Sequence, residues 1–461
     1  MSTFWNVGKY SERTAVISTA DKDITYGELQ QRVDDFRAQL PMVARKQLVL
    51  LLCANDTATL TAYVACLQAG HAVMLLDGLL ETTLLEHIVR TYEPNWIVSP
   101  SQANAFDGYY KSSSTVWTKE ESSRTAAEIY PDLAVLLSTS GTTGSAKFVR
   151  LSYENLQANA QSIATYLHLD ESERAITTLP FQYSYGLSVI NSHLLVGGTL
   201  LMTNDSILSR EFWSFFKDQK ATSLSGVPYT YQMLHRLRFG QMELPSLRYF
   251  TQAGGRLAPN LVQSFQNMAI EKGRRFYVMY GQTEATARMS YVPPDRLAEK
   301  ADSVGIAIPN GAFRIDEETS ELIYEGPNVM LGYAEASEDL AKGNELSGSL
   351  HTGDLAKMDD EGYVYIKGRM KRFIKLFGLR MNLDEIEKQI EVKFSLPIAC
   401  TGGDDQLLIF TEDESKITVL TEYVRQLYKL HASSFSVKAL PNLPRLENGK
   451  MNYLKLKDMM P

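Results

Sequence analysis

Apolar runs alternate with helix-like segments through the first two thirds of the chain. The runs at Leu48–Cys53 and 133–137 are continuous, as expected for strands that are covered on both faces in a parallel sheet. Between the strands, residues 25–40 and 58–70 are typical of helices, and the second ends at a glycine suited to a C-cap. Four more strand candidates continue the alternation, at 71–76, 198–202, 223–227 and 276–279. The pattern predicts an α/β fold built from layers of sheets and helices.

The pattern changes near residue 302. Short alternating runs at 321–324 and 363–366, separated by turns, predict a small β-rich subdomain. Beyond residue 368 the mixture of short strands and helices is typical of a compact α+β unit, and a basic cluster at 369–375 lies where the two parts join. We therefore expect a large domain over residues 1–368 and a small C-terminal domain over residues 369–461.

Composition narrows the class of protein. The chain has 461 residues, too many for one core, and its 44% hydrophobic and 22% charged residues are ordinary for a globular protein. A net charge of −8 provides no basic excess for nucleic acid. No apolar run spans a membrane, the N-terminus lacks a signal-peptide pattern, and Cys53, Cys66 and Cys400 are too scattered for a metal or redox motif. We expect a cytoplasmic protein.

A loop of hydroxyls and glycines follows the strand at 133–137. Backbone N–H groups, hydroxyls and an ammonium in such a loop suit a polyphosphate, whereas the same composition also occurs in ordinary polar turns. Its G-x-x-G-x-x-K spacing differs from the usual G-x-x-x-x-G-K-[ST] phosphate loop. The candidate phosphate-binding residues are Ser138, Thr139, Ser140, Gly141, Thr142, Thr143, Gly144 and Lys147.

Further segments decide between these interpretations. They are L-P-F-Q-Y-S-Y-G-L (179–187), Q-A-G-G (252–255), Y-G-Q-T-E (280–284), H-T-G-D (351–354), Y-I-K-G-R (365–369), G-R-M-K-R-F-I-K (368–375) and L-P-R-L-E-N-G-K (443–450). In this order, and together with the loop, they resemble the motifs of the acyl-adenylating superfamily, which contains acyl- and aryl-CoA ligases, adenylation domains of peptide synthetases and luciferases. The resemblance covers nearly the whole chain and is closest in character to a stand-alone acyl-CoA ligase.

The resemblance implies an ATP site. A carboxylic acid would attack the α-phosphate of ATP to give an acyl-adenylate and pyrophosphate, and a thiol would then displace AMP. The resemblance implies that Thr283 donates a hydrogen bond to the α-phosphate, that Glu284 binds Mg²⁺ and that Lys450 catalyses adenylation. It implies contact with adenine for Tyr280, Gly254 and Gly255. Asp354 would bind the ribose, and Arg369 would contact ribose and phosphate.

The same resemblance implies that the C-terminal domain rotates between the two half-reactions. Lys371 occupies the pivot position, and Gly378 and Arg380 occupy positions that line the thiol tunnel and meet the acceptor's phosphates. Tyr183 stands where the family often has histidine, at a possible gate of the thiol route. The expected acceptor is coenzyme A, or else the phosphopantetheine of a separate acyl carrier protein.

The acid expected from the sequence has no α-amino group. Amino-acid-activating relatives carry an aspartate at the position of Gly186, and a glycine cannot pair with a buried ammonium. Expected pocket walls are apolar or small, which suits an aryl or fatty acid; they are Tyr183, Val189, Val227, Ala253 and Gly255.

Two departures and two rivals stay open at this point. Ala146 and Phe148 replace the proline and glycine that usually surround the loop lysine. One rival is a non-catalytic nucleotide-binding homologue, and another is luciferase-like oxidation of the adenylate. A dinucleotide enzyme and an α/β-hydrolase are disfavoured because the chain lacks G-x-G-x-x-G after its early strands and lacks G-x-S-x-G.

Overall fold

Two large mixed sheets dominate the structure, a computed structural model that describes residues 3–40, 45–99, 106–120, 128–138, 147–370, 372–376, 379–403, 406–428, 430–431, 434–446 and 449–459. Its helices are α1 (Tyr26–Gln39), α2 (Thr57–Gln68), α3 (Thr82–Tyr92), α4 (Tyr153–Leu167), α5 (Ser184–Val196), α6 (Arg210–Asp218), α7 (Pro228–Arg236), α8 (Pro259–Glu271), α9 (Leu383–Phe394), α10 (Ile417–Tyr428) and α11 (Tyr453–Lys457).

The strands of the two large sheets fall within the first 334 residues. They are β1 (Thr14–Ser18), β2 (Ile24–Thr25), β3 (Leu48–Cys53), β4 (Ala72–Asp77), β5 (Trp96–Val98), β6 (Tyr109–Lys111), β7 (Val116–Lys119), β8 (Leu133–Ser138), β9 (Phe148–Ser152), β10 (Arg174–Ile176), β11 (Thr199–Met202), β12 (Ser223–Gly226), β13 (Tyr249–Gln252), β14 (Arg275–Tyr280), β15 (Ser290–Val292), β16 (Ile306–Ala307) and, after the two strands β17 (Ala312–Ile315) and β18 (Glu321–Glu325) of a smaller sheet, β19 (Gly332–Ala334).

The remaining strands belong to smaller sheets towards the C-terminus. They are β20 (Ser349–Met358), β21 (Val364–Arg369), β22 (Phe373–Leu376), β23 (Leu379–Asn382), β24 (Ile398–Gly403), β25 (Gln406–Thr411) and β26 (Phe435–Ala439). The order β17-β18-β20-β21 forms a four-stranded antiparallel sheet, β22 and β23 form a hairpin, and β24-β25-β26 form a third sheet.

The large sheets have parallel centres and antiparallel edges. The nine-stranded sheet has the order β16-β15-β14-β13-β12-β10-β11-β1-β2 and is parallel from β14 to β1. The eight-stranded sheet has the order β19-β9-β8-β4-β3-β5-β7-β6 and is parallel from β8 to β5. Parallel neighbours end at the same edge of a sheet, so the loops after β12, β13 and β14 meet.

Alternate residues of each central strand enter different cores, which explains their continuous apolar runs. Val49 and Leu51 of β3 join the largest core with α1, α2, α4 and α5, whereas Leu50 faces α3. Likewise Leu200 of β11 faces α4 and α5, and Leu201 faces α6, α7 and α8. The largest core therefore lies between the two sheets, as the layered α/β prediction requires, and that prediction is confirmed.

Local signals explain where the elements begin. Thr25 caps α1 by accepting a hydrogen bond from the Glu28 amide, and the Glu28 side chain accepts one from the Thr25 amide, which forms a capping box. Asp56 caps α2 through one hydrogen bond, which its side chain accepts from the Thr59 amide. These caps stand where the sequence pattern predicted helix starts.

The C-terminal segment has cores of its own. Two apolar clusters are built from residues between Ile374 and Leu456, with no described residue of an earlier segment. All three cysteines are buried free thiols. Among the described residues, no helix is both long and apolar enough to cross a membrane.

Candidate active site

The candidate site forms where β12, β13 and β14 end beside the first turn of α5. Gly254 follows β13, and a Cβ atom at this position would lie 2.6 Å from the hydroxyl of Tyr183, the residue that caps α5. The Ser184 and Thr283 hydroxyls are 3.2 Å apart. The structure thus brings together the aromatic segment, the glycine pair and the Y-G-Q-T-E segment.

Asp354 lies at the centre of a hydrogen-bonded group on this edge. Its Oδ2 atom accepts a hydrogen bond from the Tyr280 hydroxyl and one of 3.1 Å from the Gln282 amide, and its Oδ1 atom lies 3.4 Å from Nε of Arg369. Asp354 and Arg369 face each other across β20 and β21. Burial raises the pKa of Asp354, and Arg369 opposes that effect. Both hydrogen bonds thus go to Oδ2, and Oδ1 lies beside the Arg369 guanidinium.

Glu284 is connected to the loop lysine through Tyr333. The Tyr333 hydroxyl donates a hydrogen bond of 2.9 Å to Oε1 of Glu284, while the Lys147 ammonium lies 4.0 Å from the centre of the Tyr333 ring. Lys147 also pairs with Glu335 at 3.1 Å. A carboxylate, a phenol and a lysine from three distant segments are thereby held in one row.

Lys450 reaches the site from a tight turn of the C-terminal segment. The Gly449 amide donates to the Leu446 carbonyl and the Leu446 amide donates to the Lys450 carbonyl, both at 2.8 Å. Gly449 has φ +76° and packs so closely that a Cβ atom would lie 2.7 Å from a methyl group of Val227. The Lys450 ammonium lies 5.6 Å from the centre of the Tyr183 ring.

Four charged groups therefore converge. Burial lowers the pKa of Lys450 to about 8, with Arg369 acting in the same direction, and the charges of Glu284 and Asp354 oppose the shift. A lysine whose pKa lies this near to neutral pH is unusual. Such a shift is typical of functional sites, where the cost of burying a charge is only partly offset by neighbouring carboxylates.

Several predicted residues fall outside what the structure describes. They are Thr139, Ser140, Gly141, Thr142, Thr143 and Gly144 of the loop, with Lys371 and Gly378. For Arg380 the structure describes the backbone, which pairs with Lys375 in the hairpin of β22 and β23. Ser138 and Lys147 lie at the two ends of the loop, which joins the antiparallel strands β8 and β9.

Of the two departures in the loop motif, the structure describes Phe148, whereas Ala146 lies outside the described residues. Phe148, where a glycine is usual, is buried as the first residue of β9 and packs edge-on against Tyr92 at 5.3 Å between ring centres. Gly186 lies inside α5, where a Cβ atom would stand 2.3 Å from the Pro180 carbonyl oxygen. Packing alone thus requires glycine at 186, and the position carries no carboxylate.

Sequence reasoning missed Tyr333 and did not assign a role to Gln282 or Arg288. Gln282 lies inside a recognised motif, so its position was visible but its partners were not. Tyr333 reaches Glu284 because β19 pairs with β9 in a register that opposes Tyr333 to Val149. The residues around Tyr333 give no indication of this pairing, because β9 is distant in the sequence. Arg288 follows the same motif, and its burial becomes visible when the sheets and helices are assembled.

Comparison with known proteins identifies the family. A family model described as AMP-binding enzyme matches residues 3–334. The chain belongs to the AMP-binding enzyme family, as the sequence motifs indicate.

Individual relatives are distant but extend over most of the chain. A 2-succinylbenzoate–CoA ligase of Staphylococcus epidermidis is 26% identical over 462 aligned positions, which cover 96% of this chain and 94% of the relative. An oxalate–CoA ligase of Arabidopsis thaliana is 28% identical over 345 residues, which cover 69% of this chain and 66% of the relative.

A solved structure shows the same fold along the whole chain. An o-succinylbenzoate CoA synthetase from Bacillus subtilis, in complex with the acyl-adenylate intermediate OSB-AMP, superposes with a TM-score of 0.79. It is 22% identical and covers 100% of this chain and 99% of its own.

Proposed function

We propose that this protein is an AMP-forming acid–thiol ligase that converts a carboxylic acid and ATP into an acyl-adenylate and then transfers the acyl group to coenzyme A. The observation that carries the proposal is the convergence of Lys450, Arg369, Glu284 and Asp354 beside Thr283 at the ends of the central strands. A non-catalytic homologue would have no need to keep a desolvated lysine at this point.

The names of the relatives support formation of a CoA thioester, but they differ in the acid. They name oxalate, 2-succinylbenzoate and, for a relative from Amycolatopsis that is 26% identical, feruloyl-CoA as product. Solved structures of the same fold contain an acyl-adenylate or ATP with a magnesium ion. We therefore assign ATP, Mg²⁺ and coenzyme A to the reaction. The phosphopantetheine of a carrier protein is the alternative acceptor.

The chain's residues divide the adenylation step among them. Oδ1 of Asp354 would accept hydrogen bonds from the ribose, and Arg369 would approach ribose and phosphate. The Thr283 hydroxyl would hold the α-phosphate, and the Lys450 ammonium would stabilise charge where the carboxylate oxygen attacks phosphorus. Positioning and electrostatic stabilisation of this kind need no covalent bond to the protein.

The residues present fit Mg²⁺. Glu284 offers a hard carboxylate ligand, held in place by the Tyr333 hydroxyl, and phosphate oxygens would complete the coordination. When bound, the ion would neutralise charge on the phosphates. Lys147 and the loop that begins at Ser138 would supply cationic and hydrogen-bonding groups to the same phosphates.

We further propose that residues 1–368 and 369–461 are the two domains, with Lys371 as the pivot. The Met370 amide donates to the Gly353 carbonyl in the large part at 2.8 Å. Arg372, one residue beyond the pivot, instead joins the C-terminal part through the Glu387 carboxylate at 2.9 Å and the Cys400 carbonyl at 2.8 Å. These anchors, a backbone contact on one side and side-chain contacts on the other, support rotation at the residue between them.

The second half-reaction needs Lys450 to leave and a thiol to enter. Tyr183, which now lies beneath the Lys450 ammonium, is placed to act as a gate on that route. Gly378 and Arg380 would face the thiol and the acceptor's phosphates after rotation. The absence of a carboxylate at Gly186 favours an acid without an α-amino group, of aryl or aliphatic character.

Carboxylate-dependent exchange of pyrophosphate into ATP tests the proposed function. We expect exchange with a pool of aryl or aliphatic acids that lack an α-amino group, and none with a pool of amino acids. The exchange requires no thiol, so the choice between coenzyme A and a carrier protein does not affect it. Folded protein that binds ATP but exchanges with neither pool contradicts the proposal.

Replacing the converging lysine separates the half-reactions. Lys450→Ala should lower adenylation about 100- to 1,000-fold, the usual cost of removing one electrostatic stabiliser. Thioester formation from a preformed adenylate should change little, because that step proceeds with Lys450 withdrawn. Lys455→Ala, at an exposed lysine five residues further on, is the matched control. Equal loss of both half-reactions in Lys450→Ala would count against the assignment.

The pKa of Lys450 predicts a pH dependence. The ammonium is charged below its pKa of about 8 and neutral above it, so adenylation should be lost as pH rises through about 8. In kcat/KM for ATP, which follows the free enzyme, this loss should appear as an alkaline limb. Lys450→Arg keeps the charge at high pH and should remove the limb, whatever its absolute rate. If the alkaline limb persists in Lys450→Arg, a group other than Lys450 causes it.

A further inference from the structure

Arg288 carries a buried positive charge. Its side chain is 2% exposed, and among the described residues it forms no ion pair. Its Nη1 atom donates to the Tyr166 hydroxyl at 2.8 Å and approaches the sulfur of Met279 at 3.3 Å. The guanidinium carbon lies 4.8 Å from the centre of the Tyr185 ring, and Nε has no hydrogen-bond partner in the described part of the chain.

Such an arrangement is costly for a purely structural role. Removing a charged group from water costs several kcal/mol, and an ion pair with good geometry is the usual compensation. A phenol hydroxyl and the face of one ring compensate only in part. By contrast, the fully buried Arg150 pairs with Glu345 and contacts the Tyr333 carbonyl at 3.0 Å. The position of Arg288 suits a guanidinium that meets an anion brought in from outside.

The guanidinium is linked to the candidate active site through two aromatic rings. Its contacts come from α4 through Tyr166, from α5 through Tyr185 and from β14 through Met279. The rings of Tyr185 and Tyr183 are 6.3 Å apart between centres, and the Lys450 ammonium lies 5.6 Å from the centre of the Tyr183 ring. Each of the two cations, Lys450 and Arg288, thus approaches one ring of this neighbouring pair.

A narrow gap, too small for a water molecule, lies between α4 and α5. Polar and apolar side chains line it, among them Asn159 and Ser184, with Leu156 and Leu187. Ser184 connects it to the Thr283 hydroxyl, and the Asn159 amide donates to the Arg288 carbonyl at 3.2 Å. Polar side chains beside this gap therefore link the segment of Thr283 to that of Arg288.

We propose that the acid activated by this chain is a dicarboxylic acid, whose distal carboxylate pairs with Arg288. The inference rests on the proposed function and adds the substrate class. One carboxylate oxygen forms a bond to the α-phosphorus as the bond to pyrophosphate breaks. The distal carboxylate keeps its charge, forms no covalent bond and accepts hydrogen bonds from the guanidinium, whose planar fork matches a carboxylate.

The test compares each dicarboxylic acid with its half-amide in ATP–pyrophosphate exchange. The half-amide replaces one carboxylate by a neutral group of the same size, so it preserves shape and removes charge. The probes are the straight-chain acids from malonate to suberate and the three benzenedicarboxylates. For the acid that exchanges best, we expect kcat/KM to exceed that of its half-amide by about 100-fold or more.

Arg288→Met separates a substrate contact from a structural role. Methionine has a similar length and no charge, and replacing a buried unpaired charge with an apolar group often leaves stability unchanged or higher. We expect the preference for the dicarboxylic acid to fall to about equal rates, because only the charged acid loses an ion-pair partner, and Tm to be maintained. An arginine with a structural role only would instead lower Tm and leave the preference unchanged. Arg288→Lys, which keeps the charge without the fork, should give an intermediate preference.

The possible results separate a failure of the dicarboxylic-acid proposal from a failure of the proposed function. Exchange with monocarboxylic acids but with no dicarboxylic acid overturns the inference and supports the proposed function. A wild-type preference for half-amides, or an unchanged preference in folded Arg288→Met, overturns it as well. Exchange with no acid of either kind contradicts the proposed function, and the inference falls with it. The wild-type comparison decides the matter even where Arg288→Met does not fold.

Discussion

The proposed reaction depends on the electrostatic interaction of the Lys450 ammonium with its charged neighbours at the ends of the central strands. Burial and the neighbouring Arg369 push its pKa down to about 8, and Glu284 and Asp354 pull in the opposite direction. The lysine belongs to a segment with its own apolar cores, so its position depends on how that segment docks. Under the proposed rotation of that segment, the charge would be withdrawn before the second step.

The architecture supplies the partners of this charge. Because β12, β13 and β14 are parallel neighbours, their following loops meet at one edge, and α5 begins beside them. The antiparallel pair β20 and β21 sets Asp354 opposite Arg369, and the Tyr280 hydroxyl ties the aspartate to the end of β14. Regular backbone pairing, more than any single side chain, holds the candidate nucleotide site in place.

Much of this organisation was predictable from local signals. The α/β layers followed from continuous apolar strands, the start of α1 from Thr25 and Glu28, and the family from motifs whose residues lie within a few positions of each other. The contact of Tyr333 with Glu284 was not predictable, because it depends on the register of β19 against β9. The same holds for Arg288. The sequence shows an arginine, but only the packing of α4, α5 and β14 shows that it is buried without a carboxylate partner among the described residues.

Isotope labelling of the acid shows whether its carboxylate bonds to the α-phosphate. An acid that supports pyrophosphate exchange is labelled with ¹⁸O in the reacting carboxylate and converted with ATP and coenzyme A. Attack of that carboxylate on the α-phosphorus predicts AMP that carries one labelled oxygen, and unlabelled pyrophosphate. Thioester formed with unlabelled AMP would show that the carboxylate never bonded to the α-phosphate, and would contradict the account.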